Sequence, residues 1–328
     1  MKEAMYYEKL KNDKVQCNLC FHKCVLSVGK TGLCFGRKNI DGTLIAVNYG
    51  KTTTIAMDPI EKKPLYHFHP GVHILSIAPN GCNLMCPFCQ NAEISQEEIQ
   101  TSDISPQDLI TLCNKYNSIG VAYTYTEPLI WYEFLLDAGE KLKSAGFNNV
   151  LVTNGIIEKE PLIQLLPLID AMNIDLKSIR EDFYRKIVKG DLASVQRTIE
   201  MTHRVCHIEL TNLLITGVND SDADIENLID WVYRLDPSIP LHFSRYFPHY
   251  KMNNSPTPQE RLEFAYKKGK EKLDYVYVGN IFLPDTNNTY CPNCGNLVVK
   301  RSAYYGAEIM GLDGKECNNC GKEINIIV

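Results

Sequence analysis

Cys82, Cys86 and Cys89 stand in one short segment, Gly-Cys-Asn-Leu-Met-Cys-Pro-Phe-Cys-Gln-Asn, with C-x3-C-x2-C spacing. Three thiolates so placed can hold three irons of a cubane 4Fe–4S cluster. No fourth cysteine follows nearby, so one iron is left open for a further ligand, and an open iron does chemistry besides carrying electrons. The alternative is a structural zinc or cluster knuckle completed by a distant ligand. Two other cysteine sets flank this loop. Near the C-terminus, Cys291-Pro-Asn-Cys294-Gly is matched by Cys317-Asn-Asn-Cys320-Gly, which predicts a four-thiolate site for zinc or rubredoxin-type iron. A segment this short cannot fold on its own core, so the metal is expected to hold it, with an electron relay as the alternative role. Near the N-terminus, Cys17, Cys20, Cys24 and Cys34 also suffice for zinc or a cluster. Their uneven spacing does not choose between the two, and a redox disulfide is a third reading. Cys113 falls in a helical pattern and Cys206 in a strand-like one, so each is expected to be a buried small hydrophobe.

These cysteines must be positioned by the rest of a 328-residue chain with 45% hydrophobic content, long enough for one large α/β domain with small appendages. Thirteen cysteines suit a reducing compartment only if most of them bind metal. The net charge of −5 gives no basic surface of the kind that phosphate backbones demand, so nucleic acid is not an expected partner. No stretch reads as a signal peptide or reaches the ~20 apolar residues of a membrane span, and a cytoplasmic location with no membrane contact is expected. Strand-like runs occur at 72–78, 120–125, 149–153, 171–176, 205–215 and 241–246, and helical patterns at 129–145, 161–168 and 222–235. Continuous apolar strands alternating with helices predict a parallel sheet covered by helices. About six repeats are fewer than the eight of a closed barrel, which predicts an open partial (β/α)6 barrel. The division is an N-terminal cysteine-rich module over 1–71, the barrel over 72–285 and a zinc-ribbon or rubredoxin-like module over 286–328.

Polar residues gather where such strands end, the usual place for a site. Glu127 closes the second strand, with an ordinary helix-start carboxylate as its structural alternative. Asp175 and Lys177, two apart on a strand, share one face and can both point into the barrel. Asn212, His242 and Arg245 complete a polar rim. Arg245 is suited to holding a carboxylate in a bidentate contact, whereas His242 is the weakest of the three, since a lone strand histidine is more often a satisfied core residue. The link Asp58 to Gly71 carries three prolines and reads as a stiff, non-regular approach. If it is extended, His67 and His69 share one side, as acid–base groups, metal ligands or surface residues.

The cysteine loop with Phe88 before its last cysteine resembles the signature of the radical S-adenosylmethionine superfamily. The wider set of Asp-Pro-Ile-Glu-Lys-Lys-Pro, Tyr-Thr-Tyr-Thr-Glu-Pro, Val-Thr-Asn-Gly, His-Phe-Ser-Arg-Tyr-Phe-Pro and Asn-Thr-Tyr-Cys-Pro-Asn-Cys-Gly resembles one group within it. That group is the AmmeMemoRadiSam-system radical enzymes, relatives of pyruvate formate-lyase activating enzyme, found in archaea and anaerobic bacteria. The resemblance implies a cluster on Cys82, Cys86 and Cys89 whose open iron is chelated by S-adenosylmethionine. It implies that Phe88 packs near the adenine and that Glu127 receives the amino group. The family places a Gly-Gly-Glu motif at that point, and here Tyr125 and Thr126 replace the glycines. Thr153, Asn154, Asp175 and Asn212 are implied as cofactor contacts, and Asp175, Lys177 and Arg245 as catalytic residues. Memo-like and AMMECR-like proteins are the implied partners, with ferredoxin or flavodoxin as electron donor. The competing readings are a glycyl-radical-enzyme activase and a metal-rich scaffold without chemistry.

Overall fold

The computed structural model describes residues 1–302 and 306–328. Its centre is an eight-stranded sheet. In chain order the strands are β1 (Thr54–Pro59), β2 (His73–Ala78), β3 (Gly120–Tyr123), β4 (Asn148–Thr153), β5 (Ala171–Asp175), β6 (His207–Leu214), β7 (Leu241–Arg245) and β8 (Val276–Gly279). Strands β2 to β8 run parallel in sequential order, and β1 pairs antiparallel with β2 as an edge strand. Helices return the chain between strands: α1 (Pro106–Tyr116), α2 (Tyr132–Ser144), α3 (Lys159–Leu165), α4 (Leu192–Thr202), α5 (Asp222–Leu235) and α6 (Gln259–Lys270). Six strand–helix units therefore form the expected open partial barrel, and a further parallel strand, β8, follows the last helix.

The caps lie where short polar residues precede apolar periodicity. Ser105 and Asp108 exchange both bonds of a capping box at α1, and the Ser221 hydroxyl accepts from Asp224 N at the start of α5. Such caps are worth about 1 kcal/mol each. The six residues of β2 read His-Ile-Leu-Ser-Ile-Ala, and all but the first are buried, as a strand covered on both faces requires. Cys113 is fully buried in α1 as expected, whereas Cys206 is half-buried one residue before β6 begins.

Residues 1–52 form small antiparallel ribbons on the barrel flank. Their anchor is a buried ion pair, Arg37 to Glu133 on α2, with Arg37 also donating to Met5 O at 2.6 Å. The link to the barrel is more regular than its prolines suggest, since Asp58 and Pro59 close β1 and Ile60–Lys62 make a 3-10 turn. The C-terminal module is a set of short antiparallel hairpins that carry the four late cysteines. Its last residues return to the link, where Ile327 N donates to His67 O and His69 N donates to Ile327 O. Among the described residues no helix is long and apolar enough to cross a membrane.

Candidate active site

The cysteine loop leaves β2 at the C-terminal edge of the sheet. Asn80 braces it, with Nδ2 donating to Ile94 O and Glu97 O at 2.8 Å each. Gly81 adopts φ +103°, and a Cβ there would meet Cys34 O at 2.1 Å. Only glycine tolerates both constraints. Gly81→Ala is therefore expected to destabilise the protein by several kcal/mol, read as a fall in the urea midpoint; an unchanged midpoint would contradict the packing.

Cys82, Cys86 and Cys89 all line one cavity of about 760 Å³ above the strand ends. That size suits a small-molecule site. Burial pushes the Cys86 thiol up to about 12 and raises Cys82 well above the usual thiol range. Thiolate ligation here must therefore release protons. The three sulfurs do not converge on one point: among the described residues, only Cys291, Cys294, Cys317 and Cys320 bring metal-ligating atoms all within 4.8 Å of one another. Separated thiols facing a roomy cavity fit a cubane, which takes each thiolate on a different iron.

Glu127 is 1% exposed, yet it forms part of the cavity wall beside the loop. Its Oε1 accepts from Leu129 N at 2.9 Å and from Thr153 Oγ1 at 2.6 Å, and its Oε2 accepts from Asn154 N at 2.8 Å. A carboxylate has about four acceptor positions, so one remains for a ligand. Burial raises this carboxyl to about 7, against the three hydrogen bonds that favour its ionised form. Asn154 also donates to Asn83 Oδ1 at 2.8 Å and approaches Cys82 Sγ at 3.7 Å, tying the end of β4 to the loop. Asp175 and Lys177 pair at 2.7 Å on the cavity wall. Burial opposes the charge on Lys177, but Asp175 and Cys86 outweigh it and hold the ammonium firmly protonated.

Tyr125 keeps the left-handed backbone of a glycine, at φ +64°. Its hydroxyl donates to Asp58, whose carboxylate also pairs with Lys63 at 2.6 Å, and the Lys63 ammonium lies 4.5 Å from the Tyr125 ring centre. Burial lowers Lys63 to about 8 despite the Asp58 carboxylate. The far end of the cavity is built by residues that sequence reasoning did not single out: Glu61 and Lys63 from the link, Asn287 before the ribbon, and Arg301 on it. Arg301 lies 4.2 Å from the Tyr66 ring centre and donates to Asn287 O at 3.0 Å. Among the described residues, Glu61 Oε2, Asn287 Oδ1 and Arg301 Nε are buried without hydrogen-bond partners. Such groups are costly, and the approach of Arg301 Nε to Glu61 Oε1 at 3.9 Å offsets part of that cost.

Several expected site residues lie elsewhere. On β7, His242 and Ser244 face the cavity, so the two-residue alternation turns Arg245 away, and its Nε donates to Thr257 O at 2.9 Å. Phe88 is in the hydrophobic core, 6.5 Å from Phe183 between ring centres, and is not part of the cavity wall. Asn212 is also off the wall, where it bonds Leu176 O at 2.8 Å. His242 reaches the wall but is held by buried Glu209 at 2.6 Å. His67 is no surface residue: it is fully buried between Asn325 O and the Tyr277 hydroxyl, and burial lowers it to about 3. His69 has φ +46°, so the two histidines do not share an extended face.

Residues 76–232 match the Radical SAM superfamily. Over the full length of both chains, the sequence is 44% identical to the uncharacterized protein MJ0808 of Methanocaldococcus jannaschii. It is 24% identical to the GTP 3',8-cyclase of Geobacter sulfurreducens, over 74% of this chain and 73% of that one. Among solved structures, SuiB of Streptococcus suis bound to S-adenosylmethionine superposes with a TM-score of 0.50 at 12% identity. That likeness, over 64% of this chain and 49% of SuiB, is one of fold.

Proposed function

The chain belongs to the radical SAM superfamily, and from that premise we propose that it cleaves S-adenosylmethionine reductively and turns the product on a substrate in the same cavity. The observation that carries the reading is the meeting of three separated cysteine thiols and a buried carboxylate on one cavity wall. Cys82, Cys86 and Cys89 would hold a 4Fe–4S cluster, and Glu127 would take the cofactor's amino group. Bound there, cluster and cofactor would supply a one-electron cleavage of a carbon–sulfur bond that yields a 5′-deoxyadenosyl radical able to abstract hydrogen.

The chain's own residues position and exclude. Thr153 and Asn154 hold the Glu127 carboxylate in place, and Asn154 links it to the Cys82 side of the loop. Lys177 places a fixed positive charge beside Cys86, compensated by Asp175. At the far end, Glu61, Asn287 and Arg301 line the cavity, so its wall there is polar and charged and the substrate is read as carrying a polar group. A preorganised wall of this kind fixes the target carbon–hydrogen bond against the attacking centre. The motif set carried along the whole chain supports work within an AmmeMemoRadiSam-type system, with Memo-like and AMMECR-like partners and a ferredoxin or flavodoxin donor.

The test is anaerobic reconstitution, reduction and addition of S-adenosylmethionine, with 5′-deoxyadenosine as the readout. Wild type is expected to form it and Cys86→Ala to form none. Equal amounts from both, or none from a wild type that holds its cluster and binds the cofactor, would refute the reading.

A further inference from the structure

Cys17, Cys20, Cys24 and Cys34 line a second, apolar pocket in the N-terminal ribbons, which Arg37 and Asn83 also border. All four are free thiols, Cys17 buried and the others half-buried. Four thiolates around one metal ion at 2.3 Å lie about 3.8 Å from one another. The C-terminal set has that geometry, with Sγ pairs at 3.6 and 3.7 Å and all four sulfurs within 4.8 Å. No three of the N-terminal sulfurs come so close, and in this they behave like Cys82, Cys86 and Cys89. One fold thus contains a tight tetrahedron at the C-terminal set and, lining the N-terminal pocket, four thiols that do not converge so closely. Thiols that line a pocket without converging on one point suit a cubane, whose thiolates sit on separate irons.

A second observation concerns the surroundings of the sulfurs. Arg37 is 1% exposed and paired with Glu133, its Nη1 also lies 3.8 Å from Cys17 Sγ, and among the described residues its Nε has no hydrogen-bond partner. Glu133 already balances the guanidinium charge, so what Arg37 adds at the pocket is an N–H donor beside one of the four sulfurs, the contact that a metal-bound thiolate takes.

A third observation concerns direction. The residues on both sides of Cys82 touch this module. A Cβ on Gly81 would strike Cys34 O, so the two backbones are in direct contact there. On the other side, His22, between Cys20 and Cys24, lies with Nε2 2.7 Å from Asn83 O. Two short paths therefore lead from the pocket to the backbone flanking one ligand of the central site.

We propose that Cys17, Cys20, Cys24 and Cys34 hold a 4Fe–4S cluster that passes electrons to the central cysteine site. The inference rests on the reading of that site given above. An external one-electron donor of the flavodoxin class is oxidised by one electron and the N-terminal cluster is reduced by one. The cluster then returns to its starting state as the electron moves on through the Cys82 side. No proton or bond changes hands until the carbon–sulfur cleavage, which consumes that one electron.

Two measurements decide it. The triple variant Cys82→Ala/Cys86→Ala/Cys89→Ala, reconstituted anaerobically, is expected to retain about four irons and four sulfides per chain and a paramagnetic signal on reduction. Zinc in their place, or no iron, overturns the cluster. In Cys20→Ala, with the central set intact, dithionite should support 5′-deoxyadenosine formation as in wild type, while reduced flavodoxin should support it at least tenfold more slowly. An unchanged flavodoxin-driven rate overturns the relay, as does loss of product with both reductants. Absence of product from wild type strikes the central reading instead, and the iron count of the triple variant still decides the cluster.

Discussion

Glu127→Gln is expected to weaken S-adenosylmethionine binding about 10- to 100-fold at pH 8, and to abolish its dependence on pH near neutrality. The magnitude follows from loss of a charge-assisted contact worth about 1.5–3 kcal/mol. The pH dependence follows from the burial that holds the carboxyl at about 7. On the proposed reading the cofactor's ammonium would pair with the ionised form, so wild-type affinity should rise with pH up to and through about 7 and then level off. The linkage in the unliganded protein runs the other way. A carboxyl raised in the folded state contributes stability that is fully present below its ordinary value of 4.5 and is lost as pH rises through about 7. Unliganded wild type should therefore lose stability across that window, and the glutamine variant should show a flatter curve. The amide puts an N–H against one of the donors now facing the carboxylate, either Asn154 N or the pair Leu129 N and Thr153 Oγ1, at a cost of about 1–3 kcal/mol. Calorimetric titration and thermal melts from pH 5 to 8 would check both slopes. Parallel pH profiles for wild type and variant would remove Glu127 from cofactor binding and leave it as the cap of the Pro128–Trp131 turn.

Much of the barrel was legible because local signals agreed. The predicted helix over 222–235 is α5 with the same bounds, since Ser221 caps it and Asp236 ends it with extended backbone. The strand ends that carry Glu127, Thr153, Asn154, Asp175 and Lys177 were legible for the same reason, and the fold brings all five to one cavity. Arg245 was misplaced by a single residue of strand phase, because a five-residue strand with His242, Ser244 and Arg245 does not declare which set faces inward. Phe88 has the motif position and Asn212 the polarity of a site residue, but packing against Phe183 and a bond to Leu176 O decided their orientation. The far end of the cavity was not legible at all. Glu61 and Arg301 are 240 positions apart, and their approach to 3.9 Å depends on the ribbon docking onto the link. Tyr125 was read as a departure from a glycine motif, yet its backbone retains the glycine conformation because Asp58 and Lys63 hold its ring and hydroxyl.

Removing the metal from the C-terminal module is expected to dismantle the substrate end of the cavity and leave the cofactor end intact. The expectation starts from the four sulfurs of Cys291, Cys294, Cys317 and Cys320, which converge within 4.8 Å. Burial raises the Cys317 thiol, but the N–H groups of Asn319 and Cys320, with Asn296 and Cys294, outweigh it and bring it to about 6. Hydrogen bonds lower Cys320 as well, whereas burial pushes Cys291 up to about 11, so metal binding there must still displace the Cys291 proton. The module has little else to hold it, since the cluster around Val298, Val299, Ile324 and Ile326 is small and leans on Tyr66, Tyr275 and Tyr277 of the link and barrel. Metal binding to such segments is worth about 10–16 kcal/mol of folding free energy, far more than that core supplies. Its loss would release the strand that carries Arg301 and the tail that pairs Ile327 with His67 and His69. Cys294→Ser/Cys320→Ser alters the two exposed ligands and spares the buried ones. The variant should lose its outer metal, lose hydrogen-exchange protection at 297–301 and 324–327, and keep the iron of the central site. Its affinity for S-adenosylmethionine should stay within about twofold of wild type, because Glu127, Thr153 and Asn154 are held by hydrogen bonds within the barrel and its cysteine loop. Retained protection at 297–301 would show that the hairpins fold without metal. A parallel fall in cofactor affinity would show that the two ends of the cavity are one mechanical unit, with Arg301 supporting the cofactor end and not the substrate end alone.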